Sequence, residues 1–199
     1  MTKQLKISVL ISGNGSNLQA LIDGVNNGSL AGVKIVQVIS NNPSAHGLKR
    51  GIAAKIPTYC FEKPREASQE EGDENLFEIL EEERPDLVVL AGYLRKIQEP
   101  VLSAYKNRII NIHPSLLPKY GGPGFYGIKV HQAVIEAREI ETGVTVHFVD
   151  QDLDSGRIII QERIAIDPGD TPEGIAKKVL DLEHKVLVQA VKKIAENRY

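Results

Sequence analysis

The chain has 199 residues, of which 42% are hydrophobic and 25% charged, with a formal net charge of −2. Such a mixture suits one sizeable core and excludes a strongly basic surface that would attract nucleic acid or acidic membrane. The lone cysteine, Cys60, rules out an intramolecular disulfide and suits a reducing cytoplasm. No run reaches the ~20 apolar residues of a membrane span, and Met1 to Gln4 leads straight into a strand, leaving no room for a signal peptide.

Leu5 to Ser12 is apolar and of strand length, and Asn17 to Val25 follows with helical spacing. Val33 to Ser40 reads as a second strand, Ala45 to Ala54 as a helix, and Ile56 to Phe61 as a short third strand. Ser68 to Glu83 is strongly charged, with Leu76, Ile79 and Leu80 as its apolar stripe. Leu87 to Ala91 is continuously apolar, as a central parallel strand should be. Pro100 to Tyr105 reads as a short helix and Ile109 to Ile112 as the next strand.

The pattern then changes. Gly121 to Gly124 is a breaker cluster, Ile128 to Ala137 a helix, and Thr142 to Val149 an alternating strand. Arg157 to Ile166 can pair with that strand as a hairpin, and Thr171 to Asn197 is the closing helix. The expectation is a single α/β domain over residues 1–199. Its mostly parallel, twisted, Rossmann-like sheet carries helices on both faces and a late antiparallel hairpin.

Asn111 and His113 lie two residues apart at a strand end, so they share a face. Pro114 disfavours helix at His113 and stiffens the backbone that presents it. An imidazole suits proton transfer near neutrality, and an amide donor suits a developing oxyanion. The plainer reading is a loop histidine.

Ser12-Gly13-Asn14-Gly15-Ser16-Asn17 joins a strand to a helix, where backbone N–H groups can meet an anion. It is not a dinucleotide fingerprint. Leu18 occupies the third glycine position, and the second strand ends Ile39-Ser40-Asn41 without an acid for a ribose. A monophosphate fits better than NAD; a tight turn with a polar helix cap is the plainer alternative.

Ala91 to Ile97 follows a buried strand, where open α/β sheets bind ligands. Leu94 and Ile97 can wall a flat ligand, although a turn with core side chains would read alike. Asp150, Asp152 and Asp154 share one loop, yet lack the glycine and distal glutamate of a calcium site. A solvated turn explains them equally well. Thr145 and His147 are expected to support that loop, and His131 to be a surface or packing residue.

Asn111-Ile112-His113-Pro114-Ser115-Leu116-Leu117-Pro118 resembles the signature of the folate-dependent formyltransferases. Ile11 to Leu18 is similar to the phosphate loop of the branch acting on glycinamide ribonucleotide, and Leu182-Glu183-His184 to its Glu-His pair. The likeness runs from Ile11 to His184 and matches at four separated places in order. It implies the formyltransferase fold, with a phosphate-binding half over 1–110 and a catalytic and folate-binding half over 111–199.

The implied reaction takes the formyl group of 10-formyltetrahydrofolate to the amine of glycinamide ribonucleotide, without a metal, in purine biosynthesis. By the same resemblance Gly15, Ser16 and Asn17 hold the phosphate, and Glu183 holds ribose hydroxyls. Arg65, Leu94, Arg95, Lys96, Ile97 and Asn111 meet the folate. Lys96 stands where an apolar residue is expected, so its side chain should face solvent. Asn111 and a protonated His113 stabilise the oxyanion, and Asp154 raises the histidine pKa and orders a proton-carrying water. Tyr120 to Gly127 is longer and richer in glycine than the usual pattern.

The implied partners are small molecules, with the chain a monomer or homodimer. Among rivals, a methionyl-tRNA formyltransferase should carry a further C-terminal domain, and a formyltetrahydrofolate hydrolase an extra N-terminal one. A sugar-nucleotide formyltransferase fits the phosphate loop poorly. A non-catalytic Rossmann-type nucleotide-binding domain gives no reason for Asn111, His113 and Asp154 together.

Overall fold

The computed structural model describes residues 4–61 and 69–196. Its strands form one seven-stranded sheet. In chain order they are β1 (Leu5–Ile11), β2 (Val33–Ser40), β3 (Thr58–Cys60), β4 (Leu87–Leu90), β5 (Ile109–His113), β6 (Glu141–Phe148) and β7 (Ile158–Ala165). The order across the sheet is β3-β2-β1-β4-β5-β6-β7. The first five strands pair in parallel, and β6 and β7 close the edge as an antiparallel hairpin.

The helices are α1 (Ser16–Asn26), α2 (His46–Ala53), α3 (Gln69–Glu83), α4 (Val101–Ala104), α5 (Ile128–Glu136) and α6 (Pro172–Glu196). The strand and helix boundaries match the periodicity reading to within about two residues, because both faces of the parallel strands are covered. Val9 and Val89 face one core with Leu18 and Leu21 of α1 and Val179 and Leu187 of α6. Leu10, Val88 and Leu90 point the other way, into a second core with Leu76 and Leu80 of α3 and Val101 of α4. Each such fully buried leucine or valine contributes roughly 1.5–3 kcal/mol. Among the described residues no helix is long and apolar enough to cross a membrane.

The strand order turns back between β1 and β4, so the loops after them diverge and leave a crevice at their carboxyl ends. Two bonds tie these loops together there. Ser12 N–H donates to the Gly92 carbonyl at 3.1 Å, and Leu94 N–H to Ser12 Oγ at 2.9 Å. Along β5, Ile110 and Ile112 join the first core, which leaves Asn111 and His113 on the opposite face. Along β6, Val144 and Val146 join the first core, which puts Thr145 and His147 on that same opposite face. The register sets Asn111 against His147 and His113 against Thr145.

Candidate active site

A cavity of about 720 Å³ opens at this crevice, lined by the loop after β4, the end of β5, the glycine-rich loop and the hairpin turn. His113 and Asp154, expected to be partners, stand 3.6 Å apart (Nδ1 to Oδ2). Asn111 joins them, its Nδ2 lying 3.4 Å from Asp154 Oδ1. His147 belongs to the same cluster. Its Nε2 is 3.2 Å from Asn111 Nδ2 and 3.6 Å from Asp154 Oδ1.

Carbonyls fix the tautomers, since a carbonyl oxygen only accepts. His113 Nε2–H donates to the Tyr120 carbonyl at 2.7 Å, leaving Nδ1 as the basic atom facing Asp154. His147 Nδ1–H donates to the Phe148 carbonyl at 2.8 Å, so its Nε2 accepts from Asn111. The Asn111 amide, expected to donate to an oxyanion, rests its N–H groups on His147 and Asp154 here. Both bonds are long, and therefore exchangeable.

Asp154 raises the His113 pKa as expected, but the net shift is downward. Burial is the largest influence and lowers it; Asp154 and the Tyr120 carbonyl pull upward without overcoming burial, and His147 adds to the lowering. A histidine held below its ordinary value is neutral at rest. For Asp154, burial pushes upward, but the His147 and His113 rings and the Gly122 N–H (2.8 Å) outweigh it and hold the carboxyl below its usual range. Asp154 also has a left-handed backbone, φ 56°. The glycine-rich loop thus reaches the centre of the cluster through two backbone groups, the Tyr120 carbonyl and the Gly122 N–H.

Thr145, expected to support the acidic hairpin loop, instead holds the loop after His113. Its hydroxyl donates to the Ser115 carbonyl at 2.7 Å and accepts from Leu117 N–H at 3.1 Å. His131 is buried, a packing position.

The phosphate-loop residues lie at the start of α1. Gly15 takes a left-handed φ of 75° as its N-cap, and a Cβ there would stand 2.6 Å from the Gly47 Cα. Arg50 of α2 grips Asn14 with two bonds of 2.9 Å, Nε to its carbonyl and Nη2 to its side-chain oxygen. Asn17 Nδ2 donates to Glu183 Oε2 at 2.5 Å, linking this loop to α6 and to the cavity that Glu183 lines. Burial pushes the Glu183 carboxyl up to about 7, against the pull of Asn17.

On the other wall, Leu94 is 65% exposed at the rim, whereas Ile97 is part of the second core. Lys96 lines the cavity half-exposed rather than pointing fully to solvent. Arg65 lies outside the described residues. The cavity wall draws on both sequence halves, so the expected division into a phosphate half and a folate half does not follow its outline.

Sequence reasoning gave His147 only a supporting role and missed its place in this cluster, and it missed Arg50 and the two loop backbone groups. The antiparallel register was the one signal available for His147; a helix-face arginine and a backbone carbonyl carry none.

Residues 5–191 match the formyl transferase family model. The chloroplast phosphoribosylglycinamide formyltransferase of Arabidopsis thaliana is 40% identical over 98% of this chain and 67% of its own length. The Escherichia coli phosphoribosylglycinamide formyltransferase is 38% identical over 98% of this chain and 89% of its own. The trifunctional purine biosynthetic protein of Bos taurus is 41% identical, and the chain spans only 18% of that protein. Among solved structures, glycinamide ribonucleotide transformylase 1 from Symbiobacterium toebii superposes with a TM-score of 0.92 at 37% identity, covering 100% of this chain and 91% of that one. Fold, motif order and full-length similarity agree: the chain belongs to the formyl transferase family, on its phosphoribosylglycinamide formyltransferase branch.

Proposed function

We propose that the chain moves the formyl group of 10-formyltetrahydrofolate to the amine of N1-(5-phosphoribosyl)glycinamide, as a step of purine biosynthesis in the cytoplasm. Formylglycinamide ribonucleotide and tetrahydrofolate are the products. The carrying observation is that Asp154, distant in sequence from Asn111 and His113, comes within 3.6 Å of both on one cavity wall.

In this reading the amine nitrogen attacks the formyl carbon, and the carbonyl becomes an oxyanion. The amine gives up one proton, the bond from carbon to the folate N10 breaks, and that proton ends on N10. Neutral His113 takes the proton at Nδ1. The resulting imidazolium is stabilised by Asp154 and the nearby oxyanion, then returns the proton to the leaving nitrogen. His113 is charged only after attack, so charge appears where it is needed. Asn111 exchanges its 3.2 Å bond to His147 for one to the oxyanion, a stronger acceptor than an imidazole nitrogen.

Gly15, Ser16 and Asn17 bind the phosphate with α1 N–H groups, and Glu183 takes the ribose hydroxyls. The loop from Leu94 to Ile97 supplies backbone groups and an apolar edge to the pteridine, with Arg95 alongside. The assay that tests this follows consumption of 10-formyltetrahydrofolate with and without glycinamide ribonucleotide. Consumption that requires the amine substrate supports the reading. Equal consumption without it means a hydrolase, and inactivity in both arms ends the proposal.

A further inference from the structure

Helix α3 is charged along most of its length, yet Asp73 takes a position on its inward face. It shares that face with Leu76 and Leu80, at the helical spacing, and is fully buried. One carboxylate oxygen, Oδ2, accepts the Gln98 N–H at 2.5 Å and so fixes the end of the cavity-lining loop. The other, Oδ1, lies 3.6 Å from Arg95 Nη2.

That distance is too long for a hydrogen bond, so the pair attracts by charge while the guanidinium keeps its donors. Arg95 lines the cavity, its guanidinium 5.7 Å above the Phe61 ring. Among the described residues Nη1 and Nη2 are buried with no hydrogen-bond partner, and the nearby Tyr93 hydroxyl is in the same condition. Buried unspent donors cost about 1–3 kcal/mol each, and more when charged. A site that keeps them unspent is arranged for a ligand to use them.

We propose that Asp73 is a positioning residue for the formyl donor: it pins the loop at Gln98 and holds Arg95 aligned, already desolvated, with its donors unspent. The proposal rests on the reading that a folate fills this cavity. Asp73 acts through Arg95 and does not touch the reacting atoms. Asp73→Asn keeps an acceptor for the Gln98 N–H and removes the charge that orients Arg95.

The test is calorimetric titration with tetrahydrofolate, alongside steady-state kinetics, for the unsubstituted chain, Asp73→Asn, Arg95→Met and the double variant. Asp73→Asn should weaken tetrahydrofolate binding about tenfold and raise the donor KM in step, the scale of one misaligned charge-assisted contact. The KM for glycinamide ribonucleotide and turnover at saturating donor should stay within about twofold. In the Arg95→Met background the same substitution should add almost nothing, because the group it acts through is gone.

Unchanged donor affinity in Asp73→Asn, or losses that simply add in the double variant, would overturn the proposal. Should Asp73→Asn fail to fold, the double variant, with both charges removed, is the one expected to fold. Its affinity is then compared with that of Arg95→Met; equality supports the proposal and a further loss overturns it. An unsubstituted chain that binds no tetrahydrofolate would defeat the folate reading itself, a different result from an Asp73 variant that binds normally.

Discussion

Two partly buried carboxylates line the same cavity and are held in opposite states. Asp154 sits in the loop joining β6 to β7, among two imidazoles and a backbone N–H, and is kept ionised. Glu183 comes from the middle of a long helix, has a single amide donor, and is pushed up to about 7. Burial opposes charge at both places; at Asp154 the two imidazole rings and the Gly122 N–H outweigh it, whereas at Glu183 the Asn17 amide alone does not. The catalytic end thus carries a fixed negative charge, and the substrate end an acid on the edge of ionising.

The sharpest way to break this contrast is at the group Asp154 serves. His113→Ala should lower turnover on the order of 1000-fold with the fold intact, as loss of a general base together with a charge stabiliser requires. Near-normal turnover, checked beside an unchanged circular dichroism spectrum, would remove His113 from the chemistry. Asp154→Asn comes next, with a loss on the order of 100-fold. Its signature is in the pH profile. Asp154 raises the His113 pKa against burial, so neutralising it lets that pKa fall further. The acid limb of kcat/KM, where neutral His113 is lost, should move to lower pH. An unmoved limb would show that the carboxylate does not tune the histidine.

The two ends also differed in how far they could be read in advance. The phosphate loop is one contiguous stretch whose glycines and polar helix start declare its geometry. The catalytic cluster joins β5, the glycine-rich loop, β6 and the hairpin turn. Asn111, His113 and Asp154 were found through a motif, but His147 depends on a strand register that places it opposite Asn111. The Tyr120 carbonyl and Gly122 N–H are backbone groups that any residue would supply. The downward shift of His113 needs its burial, known only from the fold. Asp73 was hidden because α3 reads as a solvated, charged helix. The strands were legible because β4 and its neighbours are buried on both faces and therefore uniformly apolar.

Glu183→Gln sharpens the substrate end. Sugar hydroxyls donate better to a carboxylate than to a neutral acid, so affinity for glycinamide ribonucleotide should fall as pH drops through about 7. The variant should bind about tenfold more weakly above that pH and lose most of the dependence between about pH 6 and pH 8. Stability should respond with its own sign. The folded pKa is raised above the ordinary 4.5, so the folded chain holds this proton more tightly than the unfolded one. Stability therefore declines as pH rises from that value through about 7, by up to roughly 3 kcal/mol, and Glu183→Gln should flatten the decline. Thermal melts across that range measure it; an equal slope in the variant would place the proton elsewhere.

The smallest effects belong to the glycine pair beneath the phosphate loop. Gly15→Ala meets two obstacles, a left-handed φ of 75° and a Gly47 backbone atom 2.6 Å from the new Cβ. Neither can yield without moving the loop, so the KM for glycinamide ribonucleotide should rise roughly fivefold, about 1 kcal/mol of misplaced N–H groups. Gly47→Ala should cost only about twofold. Its new Cβ presses mainly on the flexible end of Ile11, with the Gly15 Cα next at 3.1 Å. In both variants the KM for the formyl donor should hold, because Arg50 still fixes Asn14 and the folate wall is built from other loops. If the donor KM rose as much as the acceptor KM, the two ends would not be the separable sites that their opposite carboxylates describe.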